Sequence, residues 1–240
     1  MKGGILIIGS LFWEDHQERH KNLRKNWRSK RLSMKDKIHI MAPIRYGRKS
    51  KNSSYTMVFS KQVEINNTLG TAYFVPFKKE LKSFKTLSNQ AEYLSEAEGA
   101  EDVKLVKGGN RKWCVIGILF NPKFNIEEKN EILKLFAKKL IADGLVDEYA
   151  NLRVAPEPTI LSKQGEINIS WPSTINIKEQ KILDTFDFML ATCTQAKPDN
   201  SYPSIKINKT GVLTDDRNYF YNNIQNGITT FEDREIINSG

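Results

Sequence analysis

Gly4-Ile-Leu-Ile-Ile-Gly9-Ser10-Leu11 is a continuous apolar run held between glycines and broken by Gly9-Ser10. Alternation is absent, so the run reads as a strand covered on both faces, and a strand of that kind needs layers of structure above and below it. Working outward, residues 17–33 read as a helix with Leu23 and Trp27 four apart on its buried stripe. Residues 38–44 and 54–59 read as strands separated by the basic loop Arg45-Tyr46-Gly47-Arg48-Lys49-Ser50, and Gly70-Thr-Ala-Tyr-Phe-Val-Pro76 as a further strand. Leu87, Ala91 and Leu94 recur at helical spacing ahead of Gly99, which suits the residue just past a helix end.

Residues 103–106 and 113–120 read as a hairpin about the turn Lys107-Gly-Gly-Asn110. Asn125 with Glu128 is a capping pair for a helix through Ile132, Leu133, Phe136, Leu140 and Ile141, ending at Gly144. Further on come a hairpin-like piece at residues 165–171 and a strand at 186–194. Asp215 then caps a short helix carrying Tyr219, Phe220 and Ile224 that stops at Gly227, and Thr230 with Asp233 caps a last one. The expected organisation is an α+β domain over residues 1–172, with a C-terminal strand and helical extension, 173–240, packed on it.

At 240 residues, with 39% apolar and 27% charged positions and a mean hydropathy of -0.50, the chain belongs with globular, water-soluble proteins. The N-terminal apolar run is short and passes directly into Glu14-Asp15-His16, the pattern of a first strand and not of a signal peptide, so no membrane association is expected. Cys114 and Cys193 sit in apolar runs and fit either two buried thiols or one disulfide; a reducing cytoplasm is the expected location.

Charge is unevenly distributed. Residues 1–60 hold 14 Lys and Arg against 4 Asp and Glu, a net of +10, while residues 61–240, with 23 against 24, carry -1. Such a density attracts phosphate, carboxylate or nucleic acid, although lysine-rich faces are also ordinary solvated surface. Arg24, Arg28 and Arg31 fall on one side of the first helix, and guanidinium groups bind carboxylate and phosphate through two parallel hydrogen bonds. Tyr46, Tyr55 and Trp27 suit either stacking on a base or ordinary core packing.

Dinucleotide, P-loop, serine-hydrolase and zincin signatures are all absent, and no cofactor or metal is expected; His16 and His20, four apart, supply only half of a metal site. Two places carry chemistry. A strand ending in Gly9-Ser10-Leu11 leaves backbone amides able to face an anion or an oxyanion, unless it is a plain turn. The acidic run Glu96, Glu98, Glu101, Asp102 near a helix end is either a solvated loop or the source of a proton-transferring carboxyl.

In order and spacing, Ile8-Gly9-Ser10-Leu11, Gly70-Thr71-Ala72-Tyr73 and Leu94-Ser95-Glu96-Ala97-Glu98-Gly99 resemble the motifs of the gamma-glutamylcyclotransferase-like superfamily over about residues 4–120. Ile8 stands where the family has Tyr, and Ser95 where it has Asp. The resemblance implies a mixed, barrel-like sheet with flanking helices. It also implies that the amides of Gly9, Ser10 and Leu11 hold the substrate's acyl or carboxylate group, with Glu98 as general acid/base. Arg28, Arg45, Tyr46 and Arg48 would grip a small anionic substrate. The competing expectation is a binding protein without chemistry, whose basic quarter takes a nucleotide, a phosphate-bearing ligand or nucleic acid.

Overall fold

The structure is a computed structural model that describes residues 1–15, 22–50, 55–99, 114–142, 160–194, 202–215 and 218–238. Strand β1 (Gly3–Ile7) is buried at every position, as its unalternating run requires, and it occupies the middle of a five-stranded mixed sheet. Antiparallel to it on one side runs β5 (Gly70–Pro76), with Ile5 opposite Val75, followed by β2 (Ile38–Ala42). On the other side β7 (Phe188–Cys193) lies parallel, with Ile5 opposite Leu190, followed by antiparallel β6 (Val115–Phe120).

The sheet β2-β5-β1-β7-β6 does not close among the described residues, yet one segment reaches both of its edges. The Gly165 carbonyl accepts from Ile118 of β6, and the Ser173 carbonyl accepts from Met41 of β2. Covering both rims in this way removes exposed ladder groups that would otherwise template edge pairing.

Helix α3 (Phe84–Ala97) buries Leu87, Ala91 and Leu94 completely, and begins with a Ser83–Thr86 capping box. Gly99 follows it with φ +80°, the left-handed conformation expected after a helix end. Helix α1 (Leu23–Arg31) packs against α3 and buries Trp27. Helix α4 (Ile126–Ala142) is capped by Asn125, whose Oδ1 accepts from the amides of Glu127 and Glu128.

Of residues 45–50, expected as a loop, 45–49 form instead most of strand β3 (Ile44–Lys49), paired with β4 (Tyr55–Phe59) in a separate two-stranded sheet. Ladder pairing with β4 overrides the charged composition, and a bulge at Gly47 lets two residues of β3 oppose one of β4. The short helices α2 (Lys61–Ile65), α5 (Ile177–Leu183) and α6 (Ile205–Leu213) escape the sequence reading; α6 is rich in β-branched residues. Helices α7 (Tyr219–Gln225) and α8 (Asp233–Asn238) begin close to their expected caps, with Asp215 Oδ2 accepting from the Tyr219 amide at 2.5 Å and Thr230 exchanging hydrogen bonds with Asp233.

This C-terminal segment docks on β2, β3 and β5. The Gly227 carbonyl accepts from His39 Nε2 and Thr71 Oγ1, both at 2.8 Å, and Thr229 pairs with Thr71. Residues 1–172 do not complete the sheet alone, because β7 is an interior strand. Neither cysteine forms a disulfide. Among the described residues no helix is long and apolar enough to cross a membrane. The expected 103–106 strand, its Lys107–Asn110 turn, and His16 and His20 lie outside the described residues.

Candidate functional site

After β1 the chain makes one tight turn, with Phe12 N donating to the Gly9 carbonyl at 3.0 Å and Glu14 N to the Ser10 carbonyl at 2.8 Å. The first amides of such a turn have no carbonyl behind them to receive their protons. Among the described residues, none accepts from the amides of Gly9, Ser10 or Leu11.

Two arginines of α1 hold this turn from one side. Arg24, 6% exposed, donates through Nη1 to Ser10 Oγ at 2.9 Å and to the Glu14 carboxylate, and through Nε to the Ala97 carbonyl at 3.1 Å. Its Nη2 reaches Glu98 Oε2 at 3.4 Å. One guanidinium therefore ties the end of β1, the segment after it and the end of α3 into a single cluster. Arg28, one helical turn further on, donates to the Leu11 carbonyl at 2.5 Å and pairs with Asp15; burial lowers its pKa, opposed by Asp15.

Glu98 caps α3 at the end where the backbone dipole disfavours a negative charge. The Arg24 pairing offsets that placement, and the carboxylate's side chain is only 8% exposed. Arg48, half-buried at the end of β3, stands in the field of Cys114, Glu98 and Tyr219; burial lowers its pKa and those three groups oppose the change. Six elements thus converge: the turn after β1, α1, the end of α3, β3, the start of β6 and the start of α7.

Of the residues singled out from the sequence, Gly9, Ser10, Leu11, Arg28, Arg48 and Glu98 belong to this cluster or its immediate frame. Arg45 and Tyr46 are engaged elsewhere. The Arg45 guanidinium pairs with Glu232 Oε1 at 2.9 Å and lies 4.2 Å above the Tyr202 ring. Tyr46 is 2% exposed, with its amide donating to Glu232 Oε2 at 3.2 Å and its ring against Phe220. Both anchor the C-terminal segment, and a side chain so buried does not stack on a ligand.

The sequence reading did not assign Arg24, Glu14 or Tyr219 to the site. Arg24 is detectable only as one of three arginines at helical spacing, and nothing in the local sequence points to Tyr219. The Tyr219 hydroxyl packs directly on Gly9, where an added Cβ would lie 2.4 Å from its oxygen. Among the described residues no group of His, Cys, Asp and Glu is arranged to hold a metal ion. No protein family, no curated protein and no solved structure matches the chain.

A carboxylate, two buried guanidinium groups and a row of main-chain donors at one strand end can orient an acyl group, stabilise charge developing on its oxygen and move a proton.

Proposed function

We propose that the chain is an acyl-transfer enzyme of the gamma-glutamylcyclotransferase kind, acting on a small anionic gamma-glutamyl amine or amide. In this reaction the α-amine nitrogen attacks the γ-carbonyl carbon and forms the new C–N bond. The Glu98 carboxylate takes the amine's proton and returns it to the departing nitrogen as the original C–N bond breaks, giving 5-oxoproline and a free amine. The amides of Gly9, Ser10 and Leu11 donate to the γ-oxygen as it becomes negative, and Arg48 holds the substrate's carboxylate.

The reading rests on one observation: a single Arg24 guanidinium spans Ser10 Oγ and Glu98 Oε2, so the amide turn and the carboxylate share one neighbourhood. The resemblance over residues 4–120 and the segment linking both sheet edges, which suits a barrel-like sheet, support it. The test is release of 5-oxoproline from a panel of gamma-glutamyl dipeptides and amines, followed by mass spectrometry. Glu98→Gln is expected to lower kcat by about 10²- to 10⁴-fold with folding intact. Failure of the wild-type protein to release 5-oxoproline from any member of the panel refutes the proposal.

A second reading, anion binding without chemistry, is favoured by a groove of about 610 Å³ lined by Lys25, Arg28, Lys35 and Lys78. Against it, Arg24 and Arg28 are buried and paired with carboxylates, which leaves the lysines to supply the field. Nucleic-acid binding there would weaken steeply, by about 10³-fold or more for six or more phosphate contacts, between 50 and 200 mM salt. Fluorescence anisotropy of a labelled single strand reads this directly.

A further inference from the structure

The groups given a role in the proposed reaction all come from the first hundred residues, and beside them stands a neighbour from the far end of the chain. Tyr219 opens α7, is 4% exposed, and brings its hydroxyl against Gly9, the first residue of the amide turn. Its placement is fixed from several directions. Asp215 Oδ2 accepts from its amide, the Met57 amide approaches its hydroxyl oxygen at 3.5 Å, and Trp13, from the turn itself, lies 6.0 Å from its ring. Trp13 Nε1 also donates to Asn223 Oδ1 at 2.7 Å, one helical turn along α7. The turn after β1 and helix α7 are therefore locked to each other, and the hydroxyl also lies within the electrostatic reach of Arg48.

Only a residue without a side chain fits beneath that hydroxyl, so Gly9 and Tyr219 form a matched pair. A phenol in this position adds one side-chain donor to the row of main-chain donors, and it comes from a rigid helix and not from a loop.

We propose that Tyr219 is a further catalytic residue of the site, its hydroxyl donating to the γ-oxygen of the gamma-glutamyl substrate alongside the amides of residues 9–11. The inference rests on the acyl-transfer reading and adds that the C-terminal helices are part of the machinery. The hydroxyl keeps its own proton throughout and only donates a hydrogen bond, so no proton or electron is transferred at this residue.

The experiment is Tyr219→Phe in the full chain, assayed for 5-oxoproline release beside Glu98→Gln. The expected result is a fall in kcat of about 10²-fold with KM within about 3-fold, because the lost bond forms with charge that develops in the transition state. Wild-type kcat in Tyr219→Phe, with Glu98→Gln inactive, overturns this inference and leaves the acyl-transfer reading standing. Full activity in Glu98→Gln overturns the reading itself. A cycle with Gly9→Ala checks the contact without reference to activity. The alanine Cβ meets the hydroxyl oxygen at 2.4 Å, but without that oxygen the nearest ring atom is at 3.4 Å. Gly9→Ala is therefore expected to lower Tm by about 5 °C in the wild-type background and by much less in Tyr219→Phe. Equal shifts in the two backgrounds overturn the placement and the proposal with it.

Discussion

Replacing Arg24 by Met removes a guanidinium that touches Ser10, Glu14, Ala97 and Glu98 while keeping most of the volume of its stem. The pair with Glu14 is buried on both sides, with side-chain exposures of 7% and 9%, so solvent screening discounts the loss very little. Removing one partner of such a pair strands a charge in the interior and costs about 3–5 kcal/mol. Glu98 keeps Arg48 and Glu14 keeps Arg28 within electrostatic reach, so the loss is shared between the two carboxylates. With an m-value of about 3 kcal/mol/M, the urea midpoint should drop by roughly 1–1.7 M. Adding Glu14→Gln to Arg24→Met removes one of the two buried carboxylates that lose a partner and should recover about half of the loss. Arg24→Lys should fall between, because one ammonium group cannot reach four separated acceptors. Equilibrium urea unfolding followed by circular dichroism is the assay. A loss below about 1 kcal/mol in Arg24→Met, the value of an exposed pair, would refute the view that this cluster is dry and interlocked.

Three more outcomes follow from the packing and the charges. Burial raises the pKa of both Glu232 and Asp233, so the folded C-terminal segment binds more protons than the unfolded chain at pH values above their ordinary range of about 4. Its stability should accordingly fall as pH rises from about 4 through the folded pKa values, and hydrogen exchange at residues 228–238, corrected for intrinsic rate, should speed up; a flat profile, or one flattened no further by Asp233→Asn, counts against this. The Cys193 thiol, fully buried and pushed up to about 12, should resist alkylation at pH 8 until the protein unfolds; labelling at the rate of an exposed thiol would contradict the burial. Gly70→Ala would bring a Cβ to 2.2 Å from the Thr229 carbonyl oxygen, so it should dislodge the Thr71–Thr229 bridge at a cost of about 1–3 kcal/mol, read as accelerated proteolysis of the C-terminal segment.

The strands of the main sheet are legible because burial on both faces leaves a dense mark in composition. Residues 4–8 and 188–193 are apolar with little alternation, residues 70–76 are interrupted only by half-buried Thr71 and Tyr73, and all three runs lie side by side in the sheet. Helix ends are legible for another reason: Asn125, Asp215, Thr230 and Gly99 act on backbone groups within four residues of themselves, and such local chemistry does not depend on the rest of the fold. Strand β3 is the counter-example. Its charged residues look like a loop because what holds it in place is β4 and Glu232, and neither relation is visible within the six residues themselves.

The same division explains which parts of the candidate site can be read in advance. Ser10 lies in the turn that follows β1 and Glu98 caps α3, so each is marked by the element it follows. The three arginines of α1 share one face in sequence spacing, yet they meet different partners: Arg24 the carboxylates, Arg28 the Leu11 carbonyl and Asp15, and Arg31 the Tyr93 ring, whose centroid it overlies at 3.8 Å. Position along the helix axis sorts them, and that depends on where α3 and the turn after β1 pack. Arg45 and Arg48 divide in a similar way, with the bulge at Gly47 lying between a residue bound to Glu232 and a residue in the electrostatic field of Glu98. Spacing in sequence can therefore nominate a group of guanidiniums. Which member neutralises an acid at a helix end, where the backbone dipole alone would disfavour it, is decided by tertiary contact.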